Sequence, residues 1–370
     1  MERVLVTGGA GFIGSHLVNA LLGRGHRVRV LDALVPQVHG QSPRALPADV
    51  EFIKGDVRDP IVVERSLQGA DVVFHEAAEV GVGQSMFEIR RYVDTNTLGT
   101  ATLLEALAQH RGSVRKLIVA SSASIYGEGA YRCARCGPVV ARPRPLAQLE
   151  RRQWELACSS CEGLLEPIPT PETKPLDPAS VYAVNKQDQE QLSLIVGRAY
   201  GIPTVALRYF NTFGVGQSLS NPYTGAIAIL ASRLLNKRPP KLFEDGLQRR
   251  DFTHVSDIVQ ANLLAMECES ARDCAINVGT GRATSIVDVA LALARGLGIA
   301  VAPSIVDQFR EGDVRHCVAD ISRARALLGY EPRVSLEEGI PPFLEWVRQQ
   351  EACDSVDRAA EELRARGLMK

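Results

Sequence analysis

Thr7-Gly8-Gly9-Ala10-Gly11-Phe12-Ile13-Gly14 is the stretch that decides the fold. It follows the apolar run Val4 to Val6 and opens an apolar-periodic stretch through Ile13, Leu17, Leu21 and Leu22, so the order is strand, glycine turn, helix. With glycines at this spacing, Gly8 lets the chain turn tightly, Gly11 lets backbone approach a pyrophosphate, and Gly14 lets the helix pack on the strand. The helix start presents free N–H groups and partial positive charge to such an anion. Turns also use glycine for their own sake, so the next strand carries weight. Arg27-Val28-Arg29-Val30-Leu31-Asp32 closes on an acid 18 residues after Gly14. A carboxylate there accepts bonds from the adenosine ribose hydroxyls and repels a 2′-phosphate, which favours NAD over NADP. Asp56 fits either a bond to the adenine amino group or a helix N-cap.

Outward from this turn, strands are expected over 50–56, 71–75, 116–120 and 203–208, with a helix over 97–108 between two of them. Strands alternating with helices imply an α/β protein with a doubly wound parallel sheet of Rossmann type. Residues 1–128 read as the NAD-binding core, 129–175 as a proline- and cysteine-rich insertion, and 176–215 as the rest of the core. Residues 216–350 read mainly as a smaller α/β substrate lobe, with helices expected over 225–236, 254–266 and 285–295. Residues 351–370 read as a C-terminal helix, alternating charged and apolar residues as a surface helix does.

The chain of 370 residues is 45% hydrophobic and 23% charged, with a formal net charge of −1. That length is ample for a buried core without help from metal or disulfides. The charge balance excludes a strongly basic nucleic-acid binder or a polybasic membrane-surface protein. No apolar run approaches the roughly 20 residues of a membrane span. The first strand begins directly after Met1, without a signal-peptide apolar region, which predicts a cytoplasmic protein.

Tyr182-Ala183-Val184-Asn185-Lys186 places a phenol and an ammonium four residues apart, on one face of a helix. A positive charge beside a tyrosine favours the phenolate, as a base working near pH 7 requires. Surface helices carry the same pattern, but Ser121-Ser122-Ala123-Ser124-Ile125-Tyr126-Gly127 adds hydroxyls at a strand end, where the ligand crevice of a parallel sheet opens. A hydroxyl, a tyrosine and a lysine beside a nicotinamide are the parts needed to move a proton and a hydride at one carbinol carbon.

These motifs resemble those of the extended short-chain dehydrogenase/reductases, specifically the NAD-dependent nucleotide-sugar epimerases and dehydratases. The resemblance runs through the glycine turn, His75-Glu76-Ala77-Ala78, Asn96, the Ser122 strand end, Tyr182 with Lys186, Leu207-Arg208-Tyr209-Phe210-Asn211, Arg250-Asp251-Phe252-Thr253-His254-Val255, Asn277-Val278-Gly279-Thr280-Gly281 and Arg310-Glu311-Gly312-Asp313. It implies that Ser122 orients substrate, Tyr182 is the acid/base and Lys186 anchors the cofactor ribose. Gly8, Gly11, Phe12, Ile13, Gly14, Asp32, Asp56, Val57, Ala77, Ala78, Asn96, Tyr182, Lys186 and Phe210 would line the NAD site. Ser124, Asn211, Asn221, Arg250, Arg310 and Asp313 would hold the nucleotide sugar, the arginines at its phosphates and Asp313 at the nucleoside ribose. A diphosphate independently calls for bidentate guanidinium donors.

Within the family, dehydratases similar to this chain need Asp-Glu after the catalytic hydroxyl, and here those positions are Ala123 and Ser124. Reductive members usually use NADP, which Asp32 disfavours. What remains is epimerisation at C4 through a transient 4-keto sugar. The implied enzyme is an isomerase acting as a homodimer on a nucleotide sugar, with no nucleic-acid or membrane partner. The runs Ser220-Asn221-Pro222-Tyr223-Thr224-Gly225 and Phe243-Glu244-Asp245-Gly246 resemble the dTDP-L-rhamnose 4-epimerase group, implying interconversion of dTDP-L-rhamnose and dTDP-6-deoxy-L-talose. UDP-hexose or UDP-uronate 4-epimerisation is the alternative. A non-catalytic dinucleotide-sensing regulator is the other class, and such regulators typically lack the tyrosine or the lysine.

Eight cysteines divide into two sets. Cys268, Cys274, Cys317 and Cys353 are scattered and read as small core or surface residues. Cys133, Cys136, Cys158 and Cys161 form two CxxC pairs with 21 residues between them, the spacing of a zinc ribbon. Four thiolates leave no open ligand position, so the expected zinc is structural; free thiols, another metal or a redox pair are the other readings. The segment is locally basic, but Glu150, Glu155, Glu162 and Glu166 dilute that charge, which favours a solvated face over a nucleic-acid-docking module. Its place between the Ser122 strand and the Tyr182 helix predicts that it hangs over the substrate mouth.

Overall fold

Strand β1 (Arg3–Thr7) is buried from Val4 onward, as a strand covered by helices on both faces must be. The computed structural model describes residues 1–40, 46–110, 112–310 and 312–370. Around β1 lie β2 (Arg27–Asp32), β3 (Glu51–Lys54), β4 (Val72–His75), β5 (Lys116–Ser122) and, later in the chain, β9 (Thr204–Tyr209). With Cys274–Val278 they form a seven-stranded sheet ordered Cys274–Val278, β9, β5, β4, β1, β2, β3. Every pairing in it is parallel. The order reverses between β1 and β4, and a crevice at such a switch point is where open α/β sheets bind ligands.

Helix α1 (Phe12–Gly23) and the Val255–Glu267 helix cover one face, burying Leu17, Leu21, Ile258 and Met266 against Val6, Phe74 and Leu207. The Pro60–Leu67 and Gly99–Gln109 helices cover the other, through Val63, Leu67, Leu103 and Leu107. A separate core holds the C-terminal lobe, where the Ala226–Leu235, Ile286–Leu297 and Leu336–Val347 helices meet around Phe213, Leu230, Leu293 and Phe343. Between β5 and the Val181–Tyr200 helix, β6 (Ala130–Cys133), β7 (Gly137–Val139) and β8 (Leu165–Ile168) form a small antiparallel sheet in the order β7-β6-β8.

Two local features depart from expectation. A π-helical turn, Val93–Leu98, precedes the Gly99–Gln109 helix and takes in the start of the span read as regular helix. The Val356–Ala365 helix is not a plain surface helix. Its Ala359, Ala360 and Leu363 are buried, the last two in a cluster with Met369, against Phe87 and Phe243. Two of those three buried residues are alanines, so the buried stripe is faint in a segment rich in charge.

Candidate active site

The carboxyl ends of the parallel strands open onto a crevice of about 1680 Å³. A single ligand pocket is typically about 300–1,000 Å³, so there is room for two ligands side by side. The glycine turn forms one wall. Gly8 has φ +70, and a Cβ there would lie 2.8 Å from the main chain of Ala77. A Cβ on Gly14 would meet the Gly8 carbonyl oxygen at 2.2 Å, so helix and turn can close up only around glycine. Gly11 is the N-cap of α1 and no side chain caps that helix, leaving its first turn, with Phe12, Ile13 and Gly14, facing the crevice. A helix start left open in this way suits an anionic group.

Asp32, at the tip of β2, accepts from the main-chain N–H groups of Ala10 (3.0 Å) and Leu34 (2.8 Å), with His39 Nε2 at 3.3 Å. Asp56 and Val57 line the neighbouring wall. The N-cap offered for Asp56 belongs to Asp59, which caps the Pro60–Leu67 helix by accepting from Ile61 and Val62. Asp56 instead pairs with Arg58, whose side-chain bonds at 2.9 and 2.6 Å hold its carboxyl below the usual range. Ala77, Ala78 and Phe210 also line the crevice. Asn96, expected at the cofactor, does not. It is buried behind the wall, accepting from Glu79 N at 2.7 Å and donating to Glu79 O at 3.0 Å. In the protein alone it shapes the loop after β4.

Ser122 ends β5, and its Oγ accepts from Ser124 N (3.2 Å) and Ser124 Oγ (2.9 Å). Tyr182 stands at the start of the Val181–Tyr200 helix, which Ser180 caps through Ala183 N at 3.1 Å. The Ser122 hydroxyl and the Tyr182 phenol both face the crevice. One turn on, Lys186 Nζ donates to the Ala120 carbonyl at 2.8 Å. Lys186 was expected to bring the Tyr182 phenol down toward neutrality; in the protein alone, burial raises it instead, with the nearby Ser122 hydroxyl opposing. The ammonium answers to Glu76. Burial brings Lys186 down to about 8 while Glu76 opposes. Burial likewise pushes Glu76 up to about 7, opposed by a bond from Tyr209 and by Lys186. His75, next in line on β4, lies between Thr7 Oγ1 (2.8 Å) and Thr100 Oγ1 (2.9 Å), and burial keeps it neutral by lowering it to about 3.

The second arm of the crevice is lined by Ser124, Asn211, Asn221, Arg250, Arg310 and Asp313. Arg250 donates to the carbonyls of Val314 (2.5 Å) and Arg315 (3.0 Å). Arg310 donates to Asp313 at 2.9 Å and lies 4.7 Å over the Phe243 ring. The two residues expected at different parts of a substrate thus pair with each other here. Glu311, between them in the sequence, lies outside the described residues. Asn221 accepts from Tyr223 N at 3.1 Å and from Gln37 Nε2 at 3.3 Å.

Sequence reasoning missed three contributors to this crevice: Glu76, Tyr223, and the C-terminal helix with Arg358 and Glu362. Tyr223 donates to Glu362 at 3.1 Å. Glu76 left a signal, since a carboxylate directly after a buried parallel strand sits where the ligand crevice opens.

In the insertion, the sulfurs of Cys133, Cys136, Cys158 and Cys161 lie within 4.8 Å of one another. Cys133 and Cys161 Sγ are 3.4 Å apart. Tetrahedral zinc with bonds of about 2.3 Å needs sulfurs about 3.8 Å apart, so the four thiols fit that ion. Main-chain N–H groups of Cys136 and Arg135 point at the Cys133 sulfur and bring it down to about 6.

Fold and crevice together define an α/β dinucleotide-binding protein with a second arm beside the cofactor site. A family profile described as "NAD dependent epimerase/dehydratase family" matches residues 4–144, and one described as "GDP-mannose 4,6 dehydratase" matches residues 150–342. The chain is 36% identical to the dTDP-L-rhamnose 4-epimerase of Burkholderia thailandensis, covering 94% of this chain and 96% of that one. The solved UDP-glucose 4-epimerase of Thermotoga maritima with UDP-glucose is 32% identical with TM-score 0.76, covering 94% of this chain and 99% of that one. The UDP-glucuronic acid 4-epimerase of Bacillus cereus, in complex with UDP-glucuronic acid and NAD, is 29% identical with TM-score 0.75 over the same shares. The chain belongs to the NAD-dependent epimerase/dehydratase family.

Proposed function

We propose that this protein is an NAD-dependent nucleotide-sugar 4-epimerase, an isomerase. The observation that carries the reading is the meeting of Ser122, Tyr182 and Lys186 between the two arms of one crevice. The glycine turn, the first turn of α1 and Asp32 would hold NAD, with Asp56, Val57, Ala77, Ala78 and Phe210 along its length and Lys186 at its ribose. When bound, NAD supplies a reversible hydride acceptor at C4, and its cationic ring favours a phenolate nearby. Tyr182 takes the proton of the sugar 4-hydroxyl and returns it after the 4-keto sugar has presented its other face. Ser122 orients the 4-oxygen, while Asn211, Asn221, Arg250 and Arg310 hold the diphosphate end and Asp313 the nucleoside ribose. With Ala123 and Ser124 where an elimination would need carboxylic acids, no side chain at these positions supports loss of water.

The sugar reading favoured is dTDP-L-rhamnose and dTDP-6-deoxy-L-talose, supported by the 36% identity to the Burkholderia enzyme. UDP-hexoses and UDP-uronates are the second reading, supported by the Thermotoga and Bacillus structures. A panel of dTDP- and UDP-sugars, read by NMR of the products, tests both. Inversion at C4 of the dTDP-deoxysugar alone supports the first; inversion of UDP-sugars alone supports the second. No epimer from any of them rejects the reaction class, as a dinucleotide-sensing regulator would.

The four-thiol cluster is read as a structural zinc site. A homodimer is supported by exposed apolar side chains on adjacent helices, Ile89, Val93 and Leu98 beside Val184 and Ile195. Among the described residues, no helix is long and apolar enough to cross a membrane. Thiolate ligands persist in a reducing compartment, which supports action in the cytoplasm.

A further inference from the structure

The insertion was expected to overhang the crevice, but none of its residues lines it; charged groups tie it instead to the C-terminal lobe. Arg315 is wholly buried and binds three carboxylates: Glu155 of the insertion (3.0 and 2.5 Å), Glu244 (3.0 Å) and Asp245 (2.6 and 2.8 Å). Arg144 crosses from the insertion in the other direction. It bonds Glu244 at 2.8 Å and the main-chain carbonyl of Asp313 at 3.0 Å. Glu128, at the root of the insertion, accepts from the main-chain N–H of Arg315 at 2.9 Å, and His316 Nε2 meets Glu155 at 3.1 Å. The 313–316 run is thus held from the insertion side at Asp313, Arg315 and His316.

The same run positions both crevice arginines. Arg250 rests on the carbonyls of Val314 and Arg315, and Arg310 pairs with the Asp313 carboxylate. We propose that Arg144 and Glu155 are positioning residues for the substrate's diphosphate, acting through residues 313–316 on Arg250 and Arg310. This rests on the reading of those two arginines as the diphosphate ligands. The buried ionic contacts give the arrangement direction: a guanidinium held in a fixed fork by several carboxylates has little freedom to shift.

The test uses the holoenzyme with Glu155→Gln and Arg144→Gln, beside Arg250→Ala and Arg310→Ala. Readouts are binding of UDP and dTDP by calorimetry, KM and kcat for the sugar that is turned over, NAD affinity and zinc content. Loss of a charged hydrogen bond in the positioning chain should weaken UDP or dTDP binding and raise KM by about tenfold, with kcat changed by no more than about twofold. NAD and zinc should stay at wild-type levels. Glu155 is partly exposed, so Glu155→Gln decides the matter even where Arg144→Gln fails to fold. If the Arg250 and Arg310 variants bind UDP and dTDP normally, the diphosphate reading fails and the positioning role with it. If those variants bind weakly while Glu155→Gln binds normally, the positioning role alone is overturned. A Glu155→Gln enzyme that loses kcat and NAD affinity along with KM would make the contact generally structural and likewise overturn it.

Discussion

The Tyr209 phenol donates to Glu76 at 2.8 Å and is itself bonded by Asn262 Nδ2 at 2.7 Å, which fixes a carboxyl group at the crevice wall facing the Lys186 charge. Lys186 Nζ donates to Ala120 O, and its charge and the Glu76 carboxyl each oppose the effect of burial on the other.

The sign of the resulting pH dependence follows directly. Burial brings Lys186 down to about 8, and Glu76 keeps it from falling further. Activity that needs the ammonium should therefore decline as pH rises through about 8. Glu76→Gln removes the negative charge, so the alkaline limb should move to lower pH. The kcat–pH profile of both proteins checks this, and an unmoved limb would separate Glu76 from the lysine's proton.

Tyr182→Phe keeps the ring and removes the oxygen that carries the proton. The rate should fall by about 10²–10⁴-fold, the usual contribution of general acid–base catalysis. NAD should remain bound, because the glycine turn and Asp32 are untouched. A variant holding more than about a tenth of wild-type rate would assign the acid/base role elsewhere.

An epimerase takes back the hydride it gives away. Purified enzyme should turn over many equivalents of sugar while absorbance at the NADH band stays flat. Its steady growth with added substrate would make the protein a dehydrogenase.

Cys133→Ser or Cys161→Ser should lower zinc from one ion per chain and loosen β6, β7 and β8. The cluster around Tyr131, Ala141, Leu156 and Leu165 is small, and ordering each backbone residue costs about 1–2 kcal/mol. Metal ligation of about 10 kcal/mol or more offsets that cost in small ribbons. The main sheet should stay folded and bind NAD, and activity should fall chiefly through KM. Elemental analysis finding no zinc in wild-type protein purified without chelator, with four titratable thiols in the segment, would refute the metal.

Local patterns made much of the scaffold readable. The glycine turn, Asp32 at the end of β2, and the phenol and ammonium one helical turn apart each depend on residues close in sequence. The electrostatic influence of Glu76 on Lys186 does not, since Glu76 follows β4 and Lys186 lies on the Val181–Tyr200 helix, far apart in sequence. The bonds of Asn96 to the Glu79 main chain, in the loop after β4, likewise join residues whose meeting no local pattern showed. Asp56 and Asp59 are both acids near a helix start, and only the geometry shows that the second takes the cap. The C-terminal helix escaped notice as a wall of the crevice because two of its three buried residues are small alanines.

The ionic contacts around Arg315 also bear on how such an enzyme can be inherited or rebuilt. Glu155 and Arg144 lie in one part of the chain, while Glu244, Asp245 and Arg315 lie far downstream. Deleting the cysteine segment would strand the wholly buried Arg315 guanidinium with fewer carboxylates and leave Glu244 without one of its two arginines. Breaking a buried pair by removing one partner commonly costs about 3–5 kcal/mol, a large share of a domain's stability. The segment is therefore not a portable module. A chimera that gains or loses it must change the downstream acids and Arg315 in the same step, so the two regions are bound to evolve as one unit.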